Sequence, residues 1–171
     1  MLDIKISGML NNQVNKELYS AYLYLHFSKL LAEQALDGFS NWFYIQAQEE
    51  LEHAMMFAKY LQSNGGKLSY ESIPKPEIEN VGVKDIVFAA LAHEQSVTES
   101  IYHLCAATEK QQDFRTRLFL NWFVQEQGEE EDTTKALVHK VDVFGTEPKG
   151  LYLLDQELGR RTYHPHHGHE G

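Results

Sequence analysis

The stretch FYIQAQEELEHAMMFAKYL, Phe43 to Leu61, decides the fold. Its apolar side chains return every three or four residues, at Phe43, Ala47, Ala54, Phe57 and Leu61, which is the period of a helix with one buried face. The middle member of that stripe is an acid, Glu50. His53 stands three residues further on; across a helix that is about 60° of rotation and 4.5 Å of rise, so both side chains reach one point. A buried carboxylate costs several kcal/mol unless it is protonated, paired or bound to a cation. The stretch therefore predicts a helix packed against others, with something in the core to offset its charge.

The same pattern recurs on both sides. Prolines stand only at 74, 76, 148 and 165, so two long windows are free of them. The periodicity predicts helices over about Ile4–Glu33, Phe39–Ser63, Val83–Gln111 and Phe114–Phe144, and a short fifth over about Gly150–Arg161. Asp3 or Ser7 is the expected cap of the first, Asp37-Gly38 the break after it, and Asn64-Gly65-Gly66 the stop of the second. Short loops join helices one and two and helices three and four, and a long connection from Lys67 to Gly82 joins two to three. The expected fold class is all-α, a four-helix bundle with one long crossover and a short C-terminal fifth helix.

Each long helix places an acid on its apolar face. The stripes read Val14, Glu17, Ala21, Tyr24, Ser28 in the first, Val87, Ala90, Glu94, Val97, Ile101 in the third, and Leu120, Phe123, Gln127, Glu130, Thr134, Leu137 in the fourth. A single polar core position is commonly satisfied by a neighbour. Four acids from four helices, with no matching inward Lys or Arg, call for protons or cations, and metal is the better reading. Oxygen donors with one imidazole suit iron or manganese and disfavour a thiolate zinc site.

Composition narrows the field. Twenty-five Asp and Glu against fifteen Lys and Arg give a net charge of -10, which argues against a nucleic-acid partner. One cysteine, Cys105, allows neither an internal disulfide nor a CxxC motif. The longest purely apolar run, Ile86 to Ala92, falls far short of the roughly 18 residues of a membrane span. The first residues, Met1 to Lys5, carry neither a basic nor an apolar targeting segment, so the expectation is a cytoplasmic protein with no membrane partner.

ELYS at 17–20, QEELEH at 48–53, HEQ at 93–95 and EQGEEE at 126–131 resemble the bacterial non-heme ferritins, and the likeness runs on through Gly150-Leu151-Tyr152. The resemblance implies an iron-storing ferroxidase that oxidises Fe(II) with O2 or H2O2 at a dinuclear centre inside each subunit and stores ferric oxy-hydroxide in a hollow shell. It implies Glu17, Glu50 and His53 at the first iron with Glu50 bridging, and Glu94 and Glu130 at the second. Gln127 beside the centre orients the oxygen species, and Tyr24 is a neighbouring electron donor. Glu49, Glu126 and Glu129, with Glu130 shared, match a third iron site, and Trp122 a nearby aromatic. The partners implied are further copies of the chain, about 24 on two-fold dimers.

Departures from neighbouring families sharpen the reading. A second ExxH, found in bacterioferritins and rubrerythrins, is missing: Thr133 follows Glu130 by three residues, and Glu129 follows Glu126. Leu51 stands where bacterioferritins carry a heme-binding Met, so no heme is expected. Mini-ferritins build their site between subunits and lack a fifth helix. A di-iron oxidase of organic substrates would share ligands but use two ExxH motifs, and a structural bundle would not need the inward acids. Residues 1–162 are expected to form one domain, and 163–171, with His164, His166, His167 and His169, a disordered tail. Tyr19, Tyr22, Phe27, Phe39, Trp42 and Tyr44 are read as a second, outward face available to partner copies. His26, His93, His103 and His139 are assigned packing or surface roles.

Overall fold

The computed structural model describes residues 2–166. It contains five helices: α1 (Ile4–Glu33), α2 (Asp37–Ser63), α3 (Val83–Lys110), α4 (Phe114–Phe144) and α5 (Pro148–Leu158). The expected all-α bundle with a crossover and a fifth helix is the fold observed. Asp3 caps α1, its Oδ1 accepting from the backbone N–H of Lys5 at 2.9 Å and of Ile6 at 3.2 Å. Asn64-Gly65-Gly66 stops α2 as expected: Gly65 takes φ +80° and the Gly66 N–H returns to the Leu61 carbonyl at 2.9 Å. Among the described residues no helix is long and apolar enough to cross a membrane.

The break between α1 and α2 lies earlier than expected. The chain turns at Gln34–Leu36, where Ala35 takes φ 58°, and Asp37-Gly38 form the first turn of α2. Gly38 serves close packing rather than a break. A Cβ there would lie 1.7 Å from the backbone oxygen of Asp155 in α5. The Asp155 Oδ1 in turn accepts from the Phe39 N–H at 2.9 Å, so α5 is seated on the start of α2. Helix α5 begins at Pro148 and ends at Leu158, two or three residues ahead of the expected bounds.

Helix α1 packs on α2 and α3 on α4. The connection from 64 to 82 runs back along α1, so α3 starts at the end where α2 started. Polar residues of α1 and its C-cap hold it: Asn11 accepts from the Ser69 N–H at 2.7 Å, Asn15 from the Glu71 N–H at 2.8 Å, and Gln34 donates to the Val81 carbonyl at 3.0 Å. Nineteen residues can span about 60 Å when extended, ample for a helix about 40 Å long.

Two apolar clusters fill the bundle. One contains Phe27, Phe39, Trp42, Phe43, Ile86, Leu137 and Leu158, the other Ile6, Leu10, Phe57, Leu61, Ile101, Leu120 and Phe123. This corrects the reading of Phe27, Phe39 and Trp42 as outward-facing. The first two are fully buried and Trp42 nearly so, because α5 covers that end of the α1–α2 pair; Tyr22 and Tyr44 do remain exposed. The inward acids lie near the middle of each helix, in the layer between the two clusters.

A paired substitution tests the seating of α5. Gly8→Ala, in open space on α1, is expected to raise stability by up to about 1 kcal/mol. Gly38→Ala should lower the Tm by several degrees and expose α5 to limited proteolysis. Equal melting curves for the two variants would show that the α2–α5 approach is not needed.

Candidate metal centre

Residues of all four long helices meet in one buried layer. Glu17, Glu50, His53, Glu94 and Gln127 are at most 2% exposed, and Glu130 is 5% exposed. Glu17, Glu50 and His53 each offer a ligand atom within 4.8 Å of the others. The His53 Nδ1 lies 3.6 Å from Glu50 Oε2, beyond hydrogen-bonding distance. Glu17 Oε2, both oxygens of Glu50 and both ring nitrogens of His53 are buried with no hydrogen-bond partner. Orphaned atoms converging on one point are what a cation would satisfy, and the donor set fits a ferrous ion.

The neighbouring hydrogen bonds come from neutral donors. Gln13 Nε2 donates to Glu17 Oε1 at 2.7 Å, and Gln46 Nε2 to Glu130 Oε2 at 2.9 Å. The Tyr24 hydroxyl donates to Glu94 Oε1, while Gln127 Nε2 lies 3.2 Å from Glu94 Oε2. His93 edges onto the Tyr24 ring, and its Nε2 meets Ser20 Oγ at 2.7 Å. Burial lowers its pKa to about 4, so it stays neutral. Trp122 places its ring edge-on to His53, with centroids 5.5 Å apart.

The other three expected acids form no metal-binding group with one another among the described residues. Glu49 Oε2 accepts from Arg161 at 2.8 Å. Glu129 is exposed on α4 and joins no metal-binding group among the described residues. Glu126 Oε1 lies 3.7 Å from His53 Nε2 and 3.3 Å from His166 Nε2. Tyr163 and His166 both reach Glu52, so residues 163–166 lie against the bundle. His167 and His169, read as part of the tail, lie outside the described residues.

Three contributors escaped the sequence reading. Gln13 and Gln46 precede Glu17 and Glu50 by four residues, so helical spacing could have found them. Arg161 could not be found that way: it reaches Gln46 at 2.6 Å and lies over the Trp42 ring from beyond α5. Among the described residues it is the one inward base, and it meets Glu49 rather than the four central acids.

The electrostatics follow from burial. Burial, then Glu94, pushes the Glu50 carboxyl well above the ordinary carboxylate range. Glu94 rises to about 7, chiefly through burial, and Glu130 to about 8 through burial and Glu94. Burial draws His53 down, but the carboxylates of Glu126 and Glu50 outweigh it and hold the imidazole well above its usual value. Tyr24 is likewise raised by burial and Glu94, so it stays a phenol and a donor. Protons thus occupy the layer near neutral pH, and a cation entering it must displace them.

Glu94 and Glu130 titrate near 7 and 8 in the fold against an ordinary 4.5. Between those values the folded chain holds protons that the unfolded chain has lost, so stability falls as pH rises through the window. His53, also raised, acts in the same direction. Metal-stripped protein should lose roughly 5 °C of Tm between pH 5 and 8, and saturating Zn(II) should flatten the profile. A Tm that climbs across this range without metal would contradict the buried-acid electrostatics.

Residues 8–143 match the family model described as Ferritin, a ferritin-like domain. The chain is 35% identical to the bacterial non-heme ferritin of Campylobacter jejuni over 158 residues, covering 92% of this chain and 95% of that one. Its counterpart in Staphylococcus haemolyticus is 32% identical over 163 residues, covering 95% and 98%. Among solved structures, an open-pore ferritin from the archaeon Archaeoglobus fulgidus superposes with a TM-score of 0.92 at 36% identity, covering 94% of this chain and 98% of that one. A closed form of the Archaeoglobus fulgidus ferritin, engineered by site-directed mutagenesis, gives 0.93 at 35%, covering 96% and 100%. The chain belongs to the bacterial non-heme ferritin family of iron-storage proteins.

Proposed function

We propose that this ferritin oxidises Fe(II) at a dinuclear centre within each subunit, held by Glu17, Glu50, His53, Glu94 and Glu130, and stores the ferric product in a shell of its own copies. The observation that carries the reading is the set of buried, unpartnered ligand atoms on Glu17, Glu50 and His53. Glu50 alone among the central acids has both oxygens in that set, which suits a carboxylate shared between two ions.

Iron is the substrate. Two Fe(II) give up one electron each; O2 takes both with two protons to form H2O2, or H2O2 takes both with two protons to form two waters. Each Fe(III) then hydrolyses with two waters to FeOOH and three protons. The carboxylates favour the harder ferric ion and so drive the oxidation. Gln127, beside Glu94, orients the oxidant, and Tyr24 is a nearby electron donor. Glu49, Glu126, Glu129 and Glu130 are the ligands of a third iron site, which Glu49 joins by giving up Arg161. Heme has no part in this reading. The shell contains about 24 subunits, and the protein works in the cytoplasm, as its family does.

Size-exclusion chromatography should give a particle of roughly half a megadalton for a 19.7 kDa chain. Glu50→Ala should slow the rise of ferric absorbance on adding Fe(II) in air by about 100-fold and leave particle size unchanged. Oxidation at the original rate in that variant would refute the assigned centre.

A further inference from the structure

The segment after α5 does not leave the bundle. Arg161 donates to the Trp42 carbonyl at 3.2 Å and to Gln46 and Glu49, one turn after another down α2. Tyr163 Oη and the His166 N–H then both donate to Glu52 Oε2, at 3.0 and 3.1 Å. The path ends with the His166 ring stacked on His53, centroids 6.2 Å apart, and edge-on to Trp122 at 5.4 Å.

His53 presents its two nitrogens to different acids. Nδ1 faces Glu50 and Nε2 faces Glu126, and both are buried without hydrogen-bond partners. A cation among Glu17, Glu50 and Nδ1 would leave Nε2 aimed away from it, at Glu126 and His166. His53, Glu126 and His166 each offer a ligand atom within 4.8 Å of the others.

We propose that His53, Glu126 and His166 form a further divalent-cation site at the edge of the central one, distinct from the third iron site with which it shares Glu126, with the C-terminal segment supplying a ligand. Two imidazoles and one carboxylate make a borderline donor set, suited to Fe(II), Co(II) or Zn(II) and poorly matched to the harder Fe(III). Such a site takes up an ion before oxidation and does not retain it afterwards. A neutral imidazole has a lone pair on only one ring nitrogen. His53 therefore serves one site at a time, and occupancy of the central site, which rests on the proposed function, weakens the outer one to Glu126 and His166.

The test uses Co(II), which air does not readily oxidise at such sites and whose visible absorption reports coordination. In the full-length Glu50→Ala protein the central site has lost a ligand, and a Co(II) titration reads the outer site. Adding His166→Ala to that background is expected to weaken binding by at least about tenfold, whereas adding His167→Ala with His169→Ala leaves it unchanged. Equal affinity with and without His166, or a loss confined to the His167/His169 variant, would overturn the proposal. In crystals of the Glu50→Ala protein soaked in Co(II), an anomalous peak among His53, Glu126 and His166 is expected, and its absence would overturn the proposal as well. Failure of the central centre shows up separately, as unaltered iron oxidation in Glu50→Ala.

Discussion

Four carboxylates and an imidazole buried between two apolar clusters, with no Lys or Arg salt-bridged to them among the described residues, are the constraint on which the rest of this structure depends. In a medium of low dielectric, charge of one sign cannot accumulate without an offset. Among the described residues, the side chains that hydrogen-bond to these acids are neutral donors. Gln13, Gln46, Tyr24 and Gln127 each give a hydrogen bond to one of the acids. Such bonds fix the orientation of a carboxylate without cancelling its charge. Glu50 receives none, and both its oxygens stay open toward the space it shares with Glu17 and His53. A lysine in the layer would have cancelled charge at the cost of the site.

The apolar clusters above and below bear the stability cost of that layer. Stacked and edge-on rings, such as Phe57 on Phe123 at 4.0 Å and Phe27 on Phe43 at 5.5 Å, bring large buried area to each side of it. The crossover matters for the same reason. By returning along α1 it lets α2 and α3 run parallel, so the middles of all four helices fall at one level. Hydrogen bonds to Asn11 and Asn15 and from Gln34 hold that return path, and they are as much a part of the site as its ligands.

What could be read in the sequence was whatever helical spacing encodes. Every member of the four inward stripes is buried, the acids included, because a 3.6-residue period fixes a face regardless of tertiary detail. The aromatic residues misled, since a helix covered on several sides buries more than one stripe: Phe27, Phe39 and Trp42 belong to the core. Asp37-Gly38 misled for a related reason. Glycine marks both chain breaks and close approaches, and here the neighbour that requires it, Asp155, is more than a hundred residues away in sequence. Arg161 and His166 act across similar separations, where periodicity carries no information.

The net charge of -10 resolves into populations of different kinds. Glu131 pairs with Lys135 on α4, and Thr98 and Lys135 hold its carboxyl below the ordinary range against partial burial. Glu49 is neutralised by Arg161, whose stem and guanidinium also cover Trp42. Glu126 is held below its ordinary pKa: burial would raise it, but His53 and His166 outweigh that effect. It is thus an ionised acid facing two imidazoles, beside central acids that burial keeps protonated. A cation arriving from outside would meet a carboxylate already charged at Glu126, and only then groups that must shed protons to bind it. The layer thus grades from an ionised carboxylate at its rim, Glu126, to protonated ones at its interior, Glu94 and Glu130.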